Sequence, residues 1–151
     1  MTMRNQWTPH GKRLIALSMC DNGKSFIAAA MLLRRHGGDS YPVLHLLCQG
    51  IEVLGKGSLL ISCYGKHQPR LRRYGHDLVK LTKAVENEIG MTILNSKIMQ
   101  ELENLNALYS GHYLRYASGI NVLVAPESIG SYKVLRRTMA LMRLAARKDF
   151  F

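Results

Sequence analysis

Apolar residues recur at helical spacing along most of this chain, and the polar positions between them gather in a few places. The first clear run, Ser25 through Phe26-Ile27-Ala28-Ala29-Ala30-Met31-Leu32-Leu33, predicts a helix closed by Gly37-Gly38. Pro42 suits the first turn of a second helix, whose apolar pattern persists to about Cys63 before Gly65 and Pro69 interrupt it. Leu78, Leu81, Val85 and Ile89 predict a third helix from about His76 to Ile89, ended by Gly90. A fourth covers roughly Ser96 to Leu108. A loop with Gly111, Gly119, Asn121 and Pro126 leads to a last helix from about Ser131 to Lys148, and Val122-Leu123-Val124 suits a short extended piece. Residues 1–23 read as an irregular N-terminal segment.

The second helix is apolar almost all round, with one thin polar stripe. His45, Gln49, Glu52 and Lys56 are spaced by four, three and four, which aligns them within a narrow wedge of the helix. A helix this apolar has to be covered by neighbours, so the expected fold is all-α, a four- to five-helix up-and-down bundle forming one domain over 1–151. Gly50 and Gly57 lie seven apart on the face away from the stripe and would admit another helix closely, hence an expected homodimer. The run from Val43 to Cys63 nearly matches a membrane span, but His45, Glu52 and Lys56 in its middle favour a buried bundle helix and no membrane.

Charge changes the picture of possible partners. Lys plus Arg number 21 against 10 Asp plus Glu, a net +11, which makes a polyanion a reasonable ligand. Positive charge clusters at Lys66, Arg70, Arg72 and Arg73, and again at Lys133, Arg136, Arg137, Arg143, Arg147 and Lys148. Arg136, Arg143 and Arg147 align on the last helix and, with Arg70, Arg72 and Arg73, would track a phosphate backbone. No aromatic platform accompanies them, which argues against sequence-specific reading of single strands. Cys20, Cys48 and Cys63 form an odd set without CxxC spacing, pointing to reduced thiols rather than a disulfide framework or zinc site, with the two on the apolar helix expected in the core. No signal-peptide pattern opens the chain, and a cytoplasmic location is expected. Met31, Met91, Met99, Met139 and Met142 read as core filling. No cofactor or metal is called for by any pattern found.

Several of these features occur in a telling order. A first helix ends at Gly37-Gly38, Tyr41-Pro42 follows, then the apolar helix with Glu52 and Lys56, a basic loop, and Tyr74-Gly75-His76-Asp77-Leu78 with Leu81. Leu108-Tyr109 and Leu114-Arg115-Tyr116 come later. This order resembles the HEPN superfamily of small helical domains, over about Ser25 to Ile89. The resemblance implies a bundle that often dimerises, and functions that include metal-independent ribonuclease toxins, their inactive relatives, and partners of minimal nucleotidyltransferases of the antitoxin type. Its nuclease branch uses an Arg with a His five to seven positions later. Arg70 and His76 have that spacing, as do Arg4 and His10, whereas Arg115, nearer the family's usual place, has no following His. Glu52 and Lys56 match positions of the resembled family.

Each motif also has a plainer reading. Glu52 and Lys56 suit a satisfied i, i+4 pair, and Asp77 suits a helix cap that complements the dipole. Ser18-Met19-Cys20-Asp21-Asn22-Gly23-Lys24-Ser25 lacks only the first glycine of a phosphate-binding loop. Without that glycine, and without a strand ending in a magnesium-binding Asp, Asn22-Gly23 reads better as a turn. Three functions remain. The first is a non-catalytic HEPN-like domain binding nucleotide, nucleic acid (RNA) or a partner protein through Glu52, Lys56, Arg72, Arg73, Asp77, Arg115, Arg136, Arg143 and Arg147. The second is a metal-independent ribonuclease using Arg70 and His76. The third is a purely structural dimer.

Overall fold

Thr8 and Pro9 supply a start signal earlier in the chain than the apolar run that begins at Ser25. The Thr8 hydroxyl accepts from the Gly11 amide at 3.1 Å, and Pro9 occupies the first helical position, where its missing N–H costs nothing. In the computed structural model, which describes residues 7–114 and 132–147, helix α1 accordingly runs Pro9–Arg35. The remaining elements are α2 (Ser40–His67), a 3-10 turn (Gln68–Arg70), the single-turn α3 (Leu71–Tyr74), α4 (Leu78–Ile89), α5 (Ser96–Ser110) and α6 (Lys133–Arg147). Among the described residues the fold is an all-α bundle. The extended piece expected at Val122-Leu123-Val124 lies outside them.

The expectation of an irregular segment over 1–23 is corrected from Pro9 onward, and the turn read at Asn22-Gly23 is helix. Gly23 is there for packing: a Cβ on it would lie 2.5 Å from the Leu54 backbone nitrogen of α2. The phosphate-loop reading falls with it, since Ser18–Ser25 is entirely within α1 and Lys24 pairs with Asp21 at 2.7 Å. Gly50 and Gly57 answer Gly23 from the other side. A Cβ on Gly50 would meet the Ile27 side chain at 2.5 Å, and one on Gly57 would meet Cys20 Sγ at 2.8 Å. The helix admitted by this glycine row is therefore α1 of the same chain, and the row lends no support to a second subunit.

Helix α2 is capped by Asp39, whose side chain accepts from the Tyr41 amide at 2.9 Å. It breaks at Cys63 (φ −158°, ψ 94°), near the expected end, but resumes through Gly65 to His67. Cys63 sits exposed at this break, so of the two cysteines on α2 only Cys48 belongs to the core. By length and apolarity the run Ser40–Tyr74 would also suit a bilayer. In this fold α2 meets α1, α4 and α5. The core gathers Ile27, Val43, Leu47, Leu78, Leu102, Leu105, Val134 and Leu135. Ile89 and Met91, expected inside, are exposed around the turn that closes α4.

Two buried or half-buried carboxylates hold the later helices. Glu86 Oε1 accepts from the amides of Ile93 and Leu94, fixing the α4–α5 connection. Glu101 Oε1, 7% exposed as a residue, accepts from the Val134 amide at 3.2 Å and sets a negative charge against the first turn of α6. Arg137 Nε donates to the Ile93 carbonyl, and the Arg34 guanidinium lies 4.0 Å from the Tyr132 ring centre.

Candidate functional site

Glu52 is the node. The apolar faces of α2 are covered by other helices, which carries the polar stripe inward and leaves Glu52 only 6% exposed. A buried carboxylate is tolerable only with partners for both oxygens. Oε1 accepts from Lys56 Nζ at 2.6 Å, one helical turn on. Oε2 accepts from the Tyr109 hydroxyl of α5 at 2.6 Å and lies 2.9 Å from His76 Nδ1. An ionised carboxylate can only accept, so the His76 ring donates to it from Nδ1–H. Gln49 Oε1 stands 3.0 Å from the Tyr109 hydroxyl, and the His45 ring centre lies 5.9 Å from that of Tyr109. All four stripe residues thus belong to one neighbourhood.

The connector between α3 and α4 is tied to this node by its backbone as well. Gly75 adopts φ 51° and ψ −122°, a conformation closed to residues with a Cβ, and its carbonyl accepts from Lys56 Nζ at 2.8 Å. Asp77 then caps α4: Oδ1 accepts from the Lys80 amide at 3.0 Å and from Asn106 Nδ2 at 3.2 Å. Asn106 Oδ1 in turn accepts from the Leu78 amide at 2.7 Å. The plain reading of Asp77 as a cap describes its contacts, whereas the neighbouring His76 turns to Glu52.

Electrostatics follow from these contacts. Burial pushes the Glu52 carboxyl up, but hydrogen bonds from Lys56, Tyr109 and His76, together with the Lys56 charge, outweigh it and hold the group below the ordinary carboxylate value. Burial, with Glu52 nearby, drives the Cys48 thiol far above its ordinary value and leaves it inert. With both oxygens occupied and proton affinity lowered, Glu52 is suited to orienting His76 and poorly suited to taking a proton itself.

The other sequence-derived residues divide. Arg70, Arg72 and Arg73 are exposed on the turn and α3, and no ion pair or hydrogen bond joins their guanidinium groups to the Glu52 node among the described residues. The spacing of Arg70 and His76 therefore does not bring them together as an acid–base pair. Arg136 and Arg143 are exposed on α6. Arg4, Arg115 and the side chain of Arg147 lie outside the described residues. Among those described, no group of three or more His, Cys, Asp or Glu side chains gathers closely enough to hold a metal.

Sequence reasoning gave no site role to Tyr109, Asn106 or His112, although Leu108-Tyr109 entered the family resemblance. Leu102, Leu105 and Tyr109 follow the helical period of α5, so a tyrosine hydroxyl on the buried face, in need of a partner, was a readable signal. His112 gave none. Its ring centre lies 5.2 Å from that of His76, edge to face. No family model, no curated protein and no solved structure matches this chain.

Proposed function

We propose that this chain is a HEPN-like helical domain that binds nucleic acid, RNA in particular, without cleaving it. One observation carries the reading. Arg70, Arg72 and Arg73 stand exposed on the 3-10 turn and α3, unneutralised by any acid among the described residues, and Lys56 and Glu52 pin the connector that directly follows, through Gly75 and His76. Cations carried on helical backbone next to an anchored connector can reach phosphates without the chain itself having to be ordered. The net charge of +11 adds a long-range attraction of the same sign. Catalysis is disfavoured because the Glu52 carboxylate is fully engaged and Arg70 stands apart from it.

The test is fluorescence anisotropy with a labelled single-stranded RNA at low salt, comparing the native chain with the variant Arg70→Glu/Arg72→Glu/Arg73→Glu. The variant should bind about tenfold or more weakly, as expected when several phosphate contacts are reversed. Equal binding by the two proteins would refute the assignment of the connector. One arrangement favours a second reading, a metal-independent ribonuclease: the Glu52–His76 pair orients an imidazole beside a second one, His112. On the primary reading, tRNA stays intact with the native chain and with His76→Ala alike.

A further inference from the structure

We infer that His76 and His112 form a subsite that receives a phosphate group of the bound nucleic acid. The inference rests on the function proposed above and names a second point of contact for the same ligand, beside the arginines. The starting observation is backbone geometry at the end of α5. The Tyr113 amide donates to the Leu108 carbonyl and the His112 amide to the Tyr109 carbonyl, the pair of bonds that closes a helix with a left-handed residue. That residue is His112, at φ 63°. Helix α1 ends in the same pair of bonds, Gly38 to Leu33 and Gly37 to Arg34, and places Gly37 (φ 73°) at the equivalent position.

Glycine is the residue this position favours, because a Cβ crowds the backbone there. His112 is exposed, so burial of its ring does not explain why a histidine stands in its place. What the side chain does have is a neighbour. Its ring is 5.2 Å from His76, and the His76 side chain is 41% exposed with its Nδ1 already committed to Glu52. Two accessible imidazoles held at this separation suit an anion that accepts a hydrogen bond from each.

The surrounding charges agree with that use. From α2, Glu52 contacts His76 and carries Lys56 with it; Tyr109 of α5 stands edge-on to the His76 ring with His45 beside it; and Asp77 follows His76 on the connector. Glu52 is covered by Lys56, Tyr109 and the His76 imidazole, while Asp77 is turned to its cap and to Asn106. An arriving phosphate therefore meets imidazole nitrogens before either carboxylate. An imidazolium donates from both ring nitrogens and carries charge opposite to phosphate, so RNA affinity should rise as pH falls.

The experiment measures RNA affinity by anisotropy between about pH 8 and about pH 5.5, for the native chain and for His112→Gly. The native chain should tighten about fivefold across this range. His112→Gly should keep or raise its thermal midpoint, bind more weakly at the lower pH, and lose most of the pH dependence. His112→Asn, whose side chain also tolerates the left-handed region, serves if the glycine variant does not fold. RNA bound by His112→Gly with unchanged affinity and pH profile would overturn the subsite while leaving the arginine connector intact. No RNA binding by the native chain at any pH would overturn both. Histidine ring resonances of the native chain, followed against inorganic phosphate and against RNA, identify the source of the group: a response to both means a free or terminal phosphate fits, and a response to RNA alone means the backbone diester does.

Discussion

The hydroxyl of Tyr109, on the last turn of α5, donates to Glu52 Oε2 in the middle of α2 at 2.6 Å, across 57 residues of sequence. This bond joins two helices that the apolar core already holds together, and it gives that core a fixed register. Hydrogen bonds to charged groups are worth more than neutral ones, and an abandoned buried acceptor costs more still. Tyr109→Phe should lower stability by about 2 kcal/mol in urea denaturation. An unchanged midpoint would mean that Lys56 and His76 satisfy Glu52 without it.

Glu52 and Lys56 are buried as a pair, their side chains 8% and 16% exposed. Removing one partner of such a pair is harsher than removing both. Glu52→Leu should cost about 3 kcal/mol or more, and adding Lys56→Met should recover much of that loss. Chemical denaturation of both variants measures the difference. Additive losses would show that the two charges act independently.

Both lowered carboxylates make the fold acid-sensitive. A group whose folded pKa lies below its unfolded value adds stability above the unfolded value and loses it as pH falls through the folded one. Glu88, which accepts from Lys66 at 2.6 Å and from Ser62 at 3.1 Å and lies 3.0 Å from His67 Nε2, is held down from 4.5 to about 2, chiefly by the Lys66 hydrogen bond. Stability should therefore fall between pH 4.5 and about 2, with Glu52 contributing in the same direction. Urea midpoints across this range should decline in the native chain and decline less in Glu88→Gln; matching slopes would contradict the Glu88 contribution.

Gly23 tests whether close approach of α1 and α2 sets their packing. In an ordinary helix, glycine to alanine gains about 1 kcal/mol, and Gly65→Ala, with nothing within 4 Å of its Cβ, should show a gain of that sign. Gly23→Ala would press a methyl against the Leu54 backbone and should instead lose about 1–3 kcal/mol. Thermal midpoints of the two variants should move in opposite directions. Parallel shifts would mean that the helices separate readily.

The legible parts of the molecule were those governed by local period and local end signals. The stripe on α2 was visible because four polar side chains interrupt an otherwise apolar surface, and Gly90 closes α4 in the left-handed region (φ 68°) as such a glycine should. The start of α1 was misread because Asn22-Gly23 has turn chemistry in isolation, and only the approach of Leu54 explains the glycine. For the same reason Gly50 and Gly57 suggested a second subunit: the sequence signals close approach without naming the helix that approaches. Tyr109 and His112 depended on long-range placement. A hydroxyl needs a partner, but nothing local says that the partner is 57 residues away.

Salt dependence of RNA binding by the native chain tests the central claim most directly. Three arginines engaging phosphates of a single strand predict that log K falls against log salt concentration with a slope of about −2, with the RNA recovered intact. A flat salt dependence, or no binding at low ionic strength, would contradict the account.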